Sequence, residues 1–535
     1  MKKCRYFAVI IAVMLMTTWI LSGCGNQQNN SSQKDGGNAA VNETQDVKKE
    51  YNGLDISNKA HVVLYGGGAD SPDQAEVFTK LNSMLEKDLN MEIEIRHIGW
   101  ADYFNKIMVM ASTGEDFDGF MMWDGNAGAA GDFIRKPGLL KDLTDIIEKY
   151  GPQIIEVVGR DVYEDSKING RAMRIPELNY VITRVMLYRN DLLEEIGMDV
   201  PKTFEEFEDM LYAAKAKYPE LIPLCTGGTY MISMDMLKPQ IAWAYGIGTQ
   251  ANMSFVFDDS SNKLVPWFAH PKAKDMLAKL NQWYKDGIVE KDFAVRKESF
   301  NGETIAIGKA FAEAQNGYYS NIDSTLKKIV PTGDIGFIYD LKDVSGQRYM
   351  QRLSVPYFNA LYVLNSSENA ERIVAFYDWL YSDRERYELF VYGEKDKHWI
   401  PKGEDQYELP EGVSTDALPY DPQSFEWLVH QDKLGRINAT SDKEYNWRKS
   451  WVSLADNLIF EYADTAGFYE DTSKFADKLP TMKKLEDDYI DAIIIGAKPL
   501  SSLDELVEKW NAVTEGQYVE EMTRQYLEWK DSKGK

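Results

Sequence analysis

ASTGEDFDGFMMWDGNAGAAGDFIRKPGLLKDLT, residues 111–144, is the stretch that decides how the rest of the chain is read. It opens as the end of a helix. After Asp118 comes a short apolar run, Phe120-Met121-Met122-Trp123, which stops at Asp124-Gly125-Asn126. Asp-Gly is a turn signal, and a Gly/Ala-rich loop follows. A buried strand ending in an aromatic ring, with a carboxylate on the loop beyond, matches the edge where an open α/β sheet places its ligand. Trp123 offers a flat apolar face and Asp124 two acceptors. The alternative is a core strand whose Trp happens to stand at its end.

The segments before this stretch set its context. His61–Tyr65 (HVVLY) reads as a strand, followed by Gly66-Gly67-Gly68. Those glycines either bring backbone N–H groups close to a ligand at a helix N-terminus or make a plain tight turn; Gly67 is the site candidate. Ser71, Pro72 and Gln74 then supply an N-cap, a first helical residue and a capping-box partner. Val77, Phe78, Leu81, Met84, Leu85 and Leu89 recur at helical spacing. Met91–Ile95 alternates as a second strand, and a helix near Tyr103–Met110 leads into the opening stretch. The order β-α-β-α-β predicts an α/β domain with a largely parallel sheet.

Further on, Ile168–Arg171 reads as a hairpin turn, Val185–Tyr188 and Ile222–Leu224 as strands, and Thr203 with Glu206 as a capping box. Met276, Leu277, Leu280, Trp283 and Tyr284 give an amphipathic helix over 272–285. Ala306–Ala314 is expected to be helical. Ser354–Leu364 reads as a strand crossing back, and Ala370–Tyr381 as a helix. The last hundred residues are helix-rich, with a Ser502/Glu505 capping box expected at one helix start.

Composition narrows the function. At 535 residues the chain exceeds one core and should divide into lobes. A mean hydropathy of -0.42 fits a soluble body. A net charge of -25, with no basic stripe, argues against nucleic acid. Cys4 and Cys24 stand at the amino end, so Cys225 alone serves the body: no internal disulfide and no Cys-based metal site is possible there. The five His show no metal spacing. Residues 302–310 lack the gap and the Ser/Thr of a phosphate loop. Asp258-x-Ser260-x-Asn262 begins like a calcium loop, but Lys263 replaces the turn Gly and Ala269 the final Glu. No metal or cofactor is therefore expected. G-x-S-x-G is missing too, and no acidic pair can be nominated for glycosidic cleavage.

The amino terminus reads as a targeting segment. Lys2, Lys3 and Arg5 precede an apolar run, Tyr6–Ile20, too short for a comfortable membrane span. It closes with Leu21-Ser22-Gly23-Cys24, which resembles a bacterial lipobox. The resemblance implies cleavage after residue 23 and acylation of Cys24. Residues 24–57 are rich in Gln, Asn, Ser and Gly and read as a flexible tether.

Taken together, the body resembles the family 1 extracellular solute-binding proteins of bacterial ABC sugar importers, the group that includes the maltodextrin binder. The likeness runs through Ala111, Gly114, Asp118, Trp123, Asp124, Gly138-Leu139-Leu140, Leu143 and Thr144. It continues through Asn169-Gly170 to Pro176, Leu187–Leu193, Pro201–Glu206 and GYYSNID at 317–323, covering about residues 60–395. The resemblance implies a two-lobed, type II periplasmic-binding-protein-like α/β fold with its ligand cleft between the lobes. The implied lobes are 58–182 with 350–392, and 183–349 with 393–535, the latter carrying extra C-terminal helices.

The implied function is capture of an oligosaccharide or glycan fragment at the extracytoplasmic face of the cell membrane, for delivery to ABC permease subunits. The implied molecule is a lipid-anchored monomer and not an enzyme. By the same resemblance Trp123 stacks a sugar face, Asp124 or Asn126 accepts from its hydroxyls, and Tyr319, with Tyr318 beside it, stacks from the other lobe. The family's carboxylate after the hinge proline has no clean match; Glu177 and Asn179 are nearest. Trp100, Trp243, Tyr245, Tyr357 and Asn359 are further cleft candidates, because aromatic faces and edge polar groups suit a pyranose. Trp283, Trp379, His398 and Trp399 read as structural. The competing readings are a surface glycan hydrolase or lyase, and the same fold binding a peptide or other solute.

Overall fold

The computed structural model describes residues 47–533, apart from 124–137, 169, 179–183, 227–233, 235, 250–252, 295–302, 316–319, 351, 354–358, 415–416, 440 and 457–460. The expected signal peptide, Cys24 and most of the tether lie outside the described residues, as do Asp124, Asn126, Asn179, Tyr318, Tyr319 and Tyr357. Trp123 is described through its backbone only.

The first sheet is built in the order read from the sequence: β1 (Ala60–Gly67), α1 (Gln74–Leu89), β2 (Met91–Ile98), α2 (Trp100–Thr113) and β3 (Gly119–Trp123). Gly114 closes α2 in the left-handed conformation, φ 75°, which favours glycine. After α3 (Arg160–Asp165) comes β4 (Ile175–Pro176), and the chain crosses to the second sheet. There β5 (Val185–Arg189), α4 (Phe204–Lys217), β6 (Ile222–Cys225), α5 (Leu237–Ala244), α6 (Ala273–Asp286), β7 (Ala310–Gln315) and β8 (Ile335–Ile338) follow. The chain returns through β9 (Asn359–Val363), α7 (Ala370–Tyr381), α8 (Arg384–Tyr392) and α9 (Pro422–Val429). It ends in α10 (Asp442–Asp456), α11 (Leu479–Ile494), α12 (Ser502–Ala512) and α13 (Gln517–Ser532).

The five-stranded first sheet has the order β2-β1-β3-β9-β4, with β9 antiparallel to both neighbours. The four-stranded second sheet has the order β8-β5-β7-β6, with β5 antiparallel to both neighbours. Each sheet carries its own apolar core. Trp379 belongs to the first; Trp283 belongs to the second, stacked on Phe204 with centroids 5.7 Å apart. Apolar burial of this kind contributes roughly 1.5–3 kcal/mol per large side chain.

Three expectations are corrected. Residues 306–314 are not one helix: a turn covers Glu303–Ala306, and β7 follows with all six residues buried. β7 lies between β5 and β6, so ladder bonds on both sides override the helix preference of Ala and Glu. The Ser502/Glu505 box does not form. Ser502 is already the first helical residue, and Glu505 instead accepts from the Tyr489 hydroxyl at 2.9 Å and pairs with Lys509 at 2.7 Å. By contrast, the Thr203/Glu206 box is complete.

The third correction concerns the expected second lobe. Trp399, Tyr407, Tyr420, Phe425, Leu428 and Val429 belong to the first core, so the boundary does not fall at 393. The cause is the apolar face of α9. Phe425 stacks on Tyr420 at 4.4 Å and 2° and meets Phe78 of α1 at 5.7 Å, contacts that the first sheet alone provides. The helices α11–α13 do join the second core, through Ile490, Leu506, Trp510 and Met522.

Candidate functional site

Strand direction brings a set of candidates to one edge. Gly67, Ile98 and Trp123 end the parallel strands β1, β2 and β3. Asn359 begins β9 and pairs with Trp123; Ala360 pairs with Pro176, which puts Glu177 at the same edge. Residues 177–184 then carry the chain to Val185, whose register partner Gln315 ends β7. The return path leaves from Ile338, paired with Met186, and arrives at Asn359. These first two crossings join the carboxyl edges of the two sheets, and the eight-residue one spans at most about 29 Å; after α9 the chain crosses a third time, to α10–α13 on the second sheet. Ligands of open α/β sheets bind at such edges.

One end of the first edge is aromatic. Trp100 starts α2, half-buried, its ring lying on Gly67 so closely that a Cβ there would fall 2.2 Å from it. Trp427 of α9, also half-buried, meets the Trp100 ring edge-on at 5.9 Å. The Gly66–Gly68 segment therefore admits an indole, rather than leaving room for a bare phosphate-type nest.

The other end is polar and buried. Glu177 and Asn359 are each 1% exposed and Gln431 is 0% exposed. By strict geometry the side-chain polar atoms of these three form no hydrogen bond among the described residues, but Glu177 lies in looser hydrogen-bond contact with the Asn359 side chain and the His430 backbone, and Gln431 with the Tyr381 hydroxyl. Backbone bonds fix the three together. The Glu177 N–H donates to the Asn359 carbonyl at 3.2 Å, Leu178 N–H to His430 at 3.2 Å, and Asp432 N–H to Leu178 at 2.9 Å. Burial pushes the Glu177 carboxyl well above its ordinary range; the His430 charge opposes this without cancelling it.

His430 itself lies between two carboxylates, Nδ1 3.1 Å from Glu426 and Nε2 3.0 Å from Asp432. Burial depresses the imidazole, but these two bonds and charges outweigh it and hold the ring well above its usual value. With an acceptor on each nitrogen, the ring is the doubly protonated cation.

At the second edge, Gln240 of α5 donates to the Val185 carbonyl at 3.4 Å and to Met236 at 3.0 Å, leaving its buried Oε1 without a partner. Gln315 donates to Glu313 at 2.9 Å, and its Oε1, like that of Gln240, is unpartnered among the described residues. Past Ile338, Tyr339 packs against Trp447 of α10 at 5.3 Å and Phe337 against the same indole at 4.3 Å.

Two further cleft candidates stand on α5 and just after it. Trp243 is 1% exposed, its indole N–H donating to the Thr249 carbonyl at 2.6 Å. Tyr245, the residue after α5, turns its ring edge to Phe204 at 6.0 Å, and burial pushes its hydroxyl up to about 12. Every residue of α5 is buried, so the helix has no face toward solvent for its aromatics to occupy. A separate cavity of about 1080 Å³ opens between Asp161 and Asp165 of α3 and the loops 343–348 and 462–467; none of the predicted site residues lines it.

Gln240, Gln315, Trp427 and Gln431 escaped the sequence reading. A glutamine in a fully apolar helix (LKPQIAWA) was the one available signal, for Gln240.

Residues 69–387 match the family model described as bacterial extracellular solute-binding protein. A Streptococcus pneumoniae protein named carbohydrate ABC transporter substrate-binding protein is 22% identical, covering 100% of both chains. Lipoprotein LipO of Bacillus subtilis is 23% identical, over 83% of this chain and 88% of its own. Among solved structures, the N-glycan transport solute-binding protein NgtS from Streptococcus pneumoniae superposes with a TM-score of 0.67 at 19% identity, covering 89% of this chain and 100% of that one. The same protein in complex with Man5GlcNAc gives 0.58, at 19% identity and coverages of 89% and 99%.

Proposed function

The chain belongs to the bacterial extracellular solute-binding protein family, and from that premise we propose that it captures an oligosaccharide between its two lobes and delivers it to an ABC permease. The observation that carries this reading is that the first two crossings join carboxyl edges, each edge holding aromatic rings and buried amides with atoms unpartnered among the described residues. Rings stack on the C–H faces of pyranoses and amides bond their hydroxyls. Closure about the crossings is a hinge motion that would desolvate the bound sugar. The names of the relatives, a carbohydrate transporter's binding protein and an N-glycan binder, support the ligand class.

In this reading the first lobe comprises the β1–β4 region and β9 through α9, and the second lobe the rest of the body. Trp123 at the end of β3, Asp124 or Asn126 after it in sequence, and Tyr319 with Tyr318 after β7 are the proposed ligand contacts, with Tyr357 two residues before Asn359. The chain acts as a monomer, anchored through acylated Cys24 to the outer face of the cell membrane. The lipoprotein relative supports the anchor. Cys24→Ser should abolish incorporation of a clickable palmitate; unchanged labelling would remove the anchor.

The test of function is thermal unfolding of the mature chain against a panel of oligosaccharides. Ligand at about 100 times its Kd adds about 2.7 kcal/mol of stability, read as a rise in Tm. If no member of a broad panel moves Tm, sugar capture is wrong. Trp123→Ala should remove the shift while the protein still folds. Shortened products after incubation would favour a hydrolase or lyase instead.

A further inference from the structure

We infer that the face of the molecule beyond β4 is a counter-contact that holds the two lobes apart, so that residues there set the affinity for a ligand they never touch. The inference rests on capture between two hinged lobes and extends it to residues outside the cleft.

Sheet order separates this face from the ligand edges. Gly67, Ile98, Trp123 and Asn359 stand on β1, β2, β3 and β9, and the first crossing leaves from β4, the outermost strand. α3 flanks β4 on its unpaired side: Arg174, two residues before Pro176, donates to the carbonyl of Ser166, just past α3, at 2.7 Å. The cavity of about 1080 Å³ opens there. Asp161 and Asp165 of α3 line one wall, and Asp464, Trp529 and Lys533 from the carboxyl-terminal part of the chain line the other. None of the described residues placed above at either carboxyl edge lines it.

The second wall is fixed to its own lobe. The Asp464 N–H donates to the Gly248 carbonyl at 2.9 Å, and the Asp464 carbonyl accepts from the Tyr526 hydroxyl at 3.0 Å. Phe468 packs on Tyr526 at 5.4 Å and on Trp529 at 5.7 Å. Two ties run from this wall to the first lobe. The outer one is Lys533, whose Nζ donates to Asp165 Oδ1 at 3.3 Å and to the carbonyls of Glu164 and Asp165 at 3.5 Å each. The inner one is the bond from Arg174 to the Tyr469 hydroxyl at 2.8 Å. Two bodies that turn about shared crossings part on one side as they close on the other. Closure on a ligand at the carboxyl edges therefore stretches both ties and widens the cavity. The apparent Kd rises as the binding-competent fraction of the free protein falls. Each tie thus weakens binding by as much as it favours the open arrangement.

Two variants test this. Lys533→Glu sets a like charge against Asp165 and breaks the outer tie; Tyr469→Phe removes the hydroxyl of the inner one. Small-angle X-ray scattering of the ligand-free mature chain should give each variant a smaller radius of gyration than wild type. Calorimetry with Man5GlcNAc should give a Kd tighter by about threefold or more. Adding Asp165→Lys to Lys533→Glu rebuilds the pair with its signs exchanged and should return both readings to wild type. Circular dichroism and Tm establish that each variant is folded, and the exposed Lys533→Glu decides if Tyr469→Phe is not. If folded variants match wild type in radius and in Kd, the ties are struts that closure leaves alone and the inference falls. A weaker Kd also overturns it, because the ties then belong to the closed arrangement. If the wild type takes up no oligosaccharide, the sugar reading fails by itself, and the scattering comparison still decides whether the ties hold the lobes apart.

Discussion

Glu177 and His430 each hold a proton in the fold that the unfolded chain releases at lower pH. The sign is the same for both. His430 stabilises fully below about pH 6.5, its unfolded value, and the gain is lost as pH rises toward its raised folded value. Glu177 costs nothing while both states are protonated, below about pH 4.3; above that the unfolded state gains from ionising and stability falls. Glu177→Gln cannot release that proton. The difference in Tm between wild type and Glu177→Gln should therefore move against the wild type from pH 5 to pH 8, and a constant difference would show that Glu177 is ionised in the fold. Gly67→Ala should force the Trp100 ring away from the strand, since a Cβ at 2.2 Å cannot be accommodated. Overpacking of this sort costs about 1–3 kcal/mol, readable in urea unfolding together with a changed tryptophan emission. Residue identity was a good guide where chemistry is rare: Trp100 and Asn359 do stand at the sheet edge. It does not announce that Trp243 is buried, because an indole looks the same in sequence whether a helix is buried on one side or all round. It also missed Gln240, Gln315 and Gln431, because glutamine becomes informative once its burial is known.

Capping at the level of single helices can be tested as a contrast. Thr203→Ala breaks a complete box on α4 and should cost about 1 kcal/mol in denaturant unfolding. Ser502→Ala breaks no cap and should stay within about 0.5 kcal/mol of wild type. The sequence motif is the same in both places; at Ser502 the chain enters the helix one residue early. β1, α1, β2, α2 and β3 were readable from their apolar period, although α1 starts at Gln74 with Asp73 as its uncapped N-cap residue and not at Pro72 after Ser71. β7 was not, because an alternation of Ala with Glu and Gln scores as helix until its neighbours on both sides are known. α9 was legible as apolar, but its partner was not, since nothing local says which sheet a late helix will cover.

At the scale of the molecule, the second sheet is an insertion between strands of the first. β9 and α9 return to the first core after β5–β8 are complete. The C-terminal helices also reach back. Lys533 past α13 pairs with Asp165 of α3 at 3.3 Å, and Arg174 donates to the Tyr469 hydroxyl at 2.8 Å. The first of these is an exposed pair of little energetic weight. The Arg174 contact is the stronger tie, because its guanidinium is 1% exposed and also bonds Ser166 and Tyr362. Tyr469→Phe should thus lower stability by about 1–3 kcal/mol, measured by urea unfolding. The late arrival of α9 has a consequence for biogenesis. A ribosome delivers residue 64 long before residue 428, yet Leu64 and Leu428 share one core. The amino-terminal strands must wait, apolar side uncovered, while more than 300 residues follow. That interval is when a holding chaperone or a membrane surface would matter most. A chain stopped after residue 393 should accordingly be digested by protease at the rate of an unfolded polypeptide.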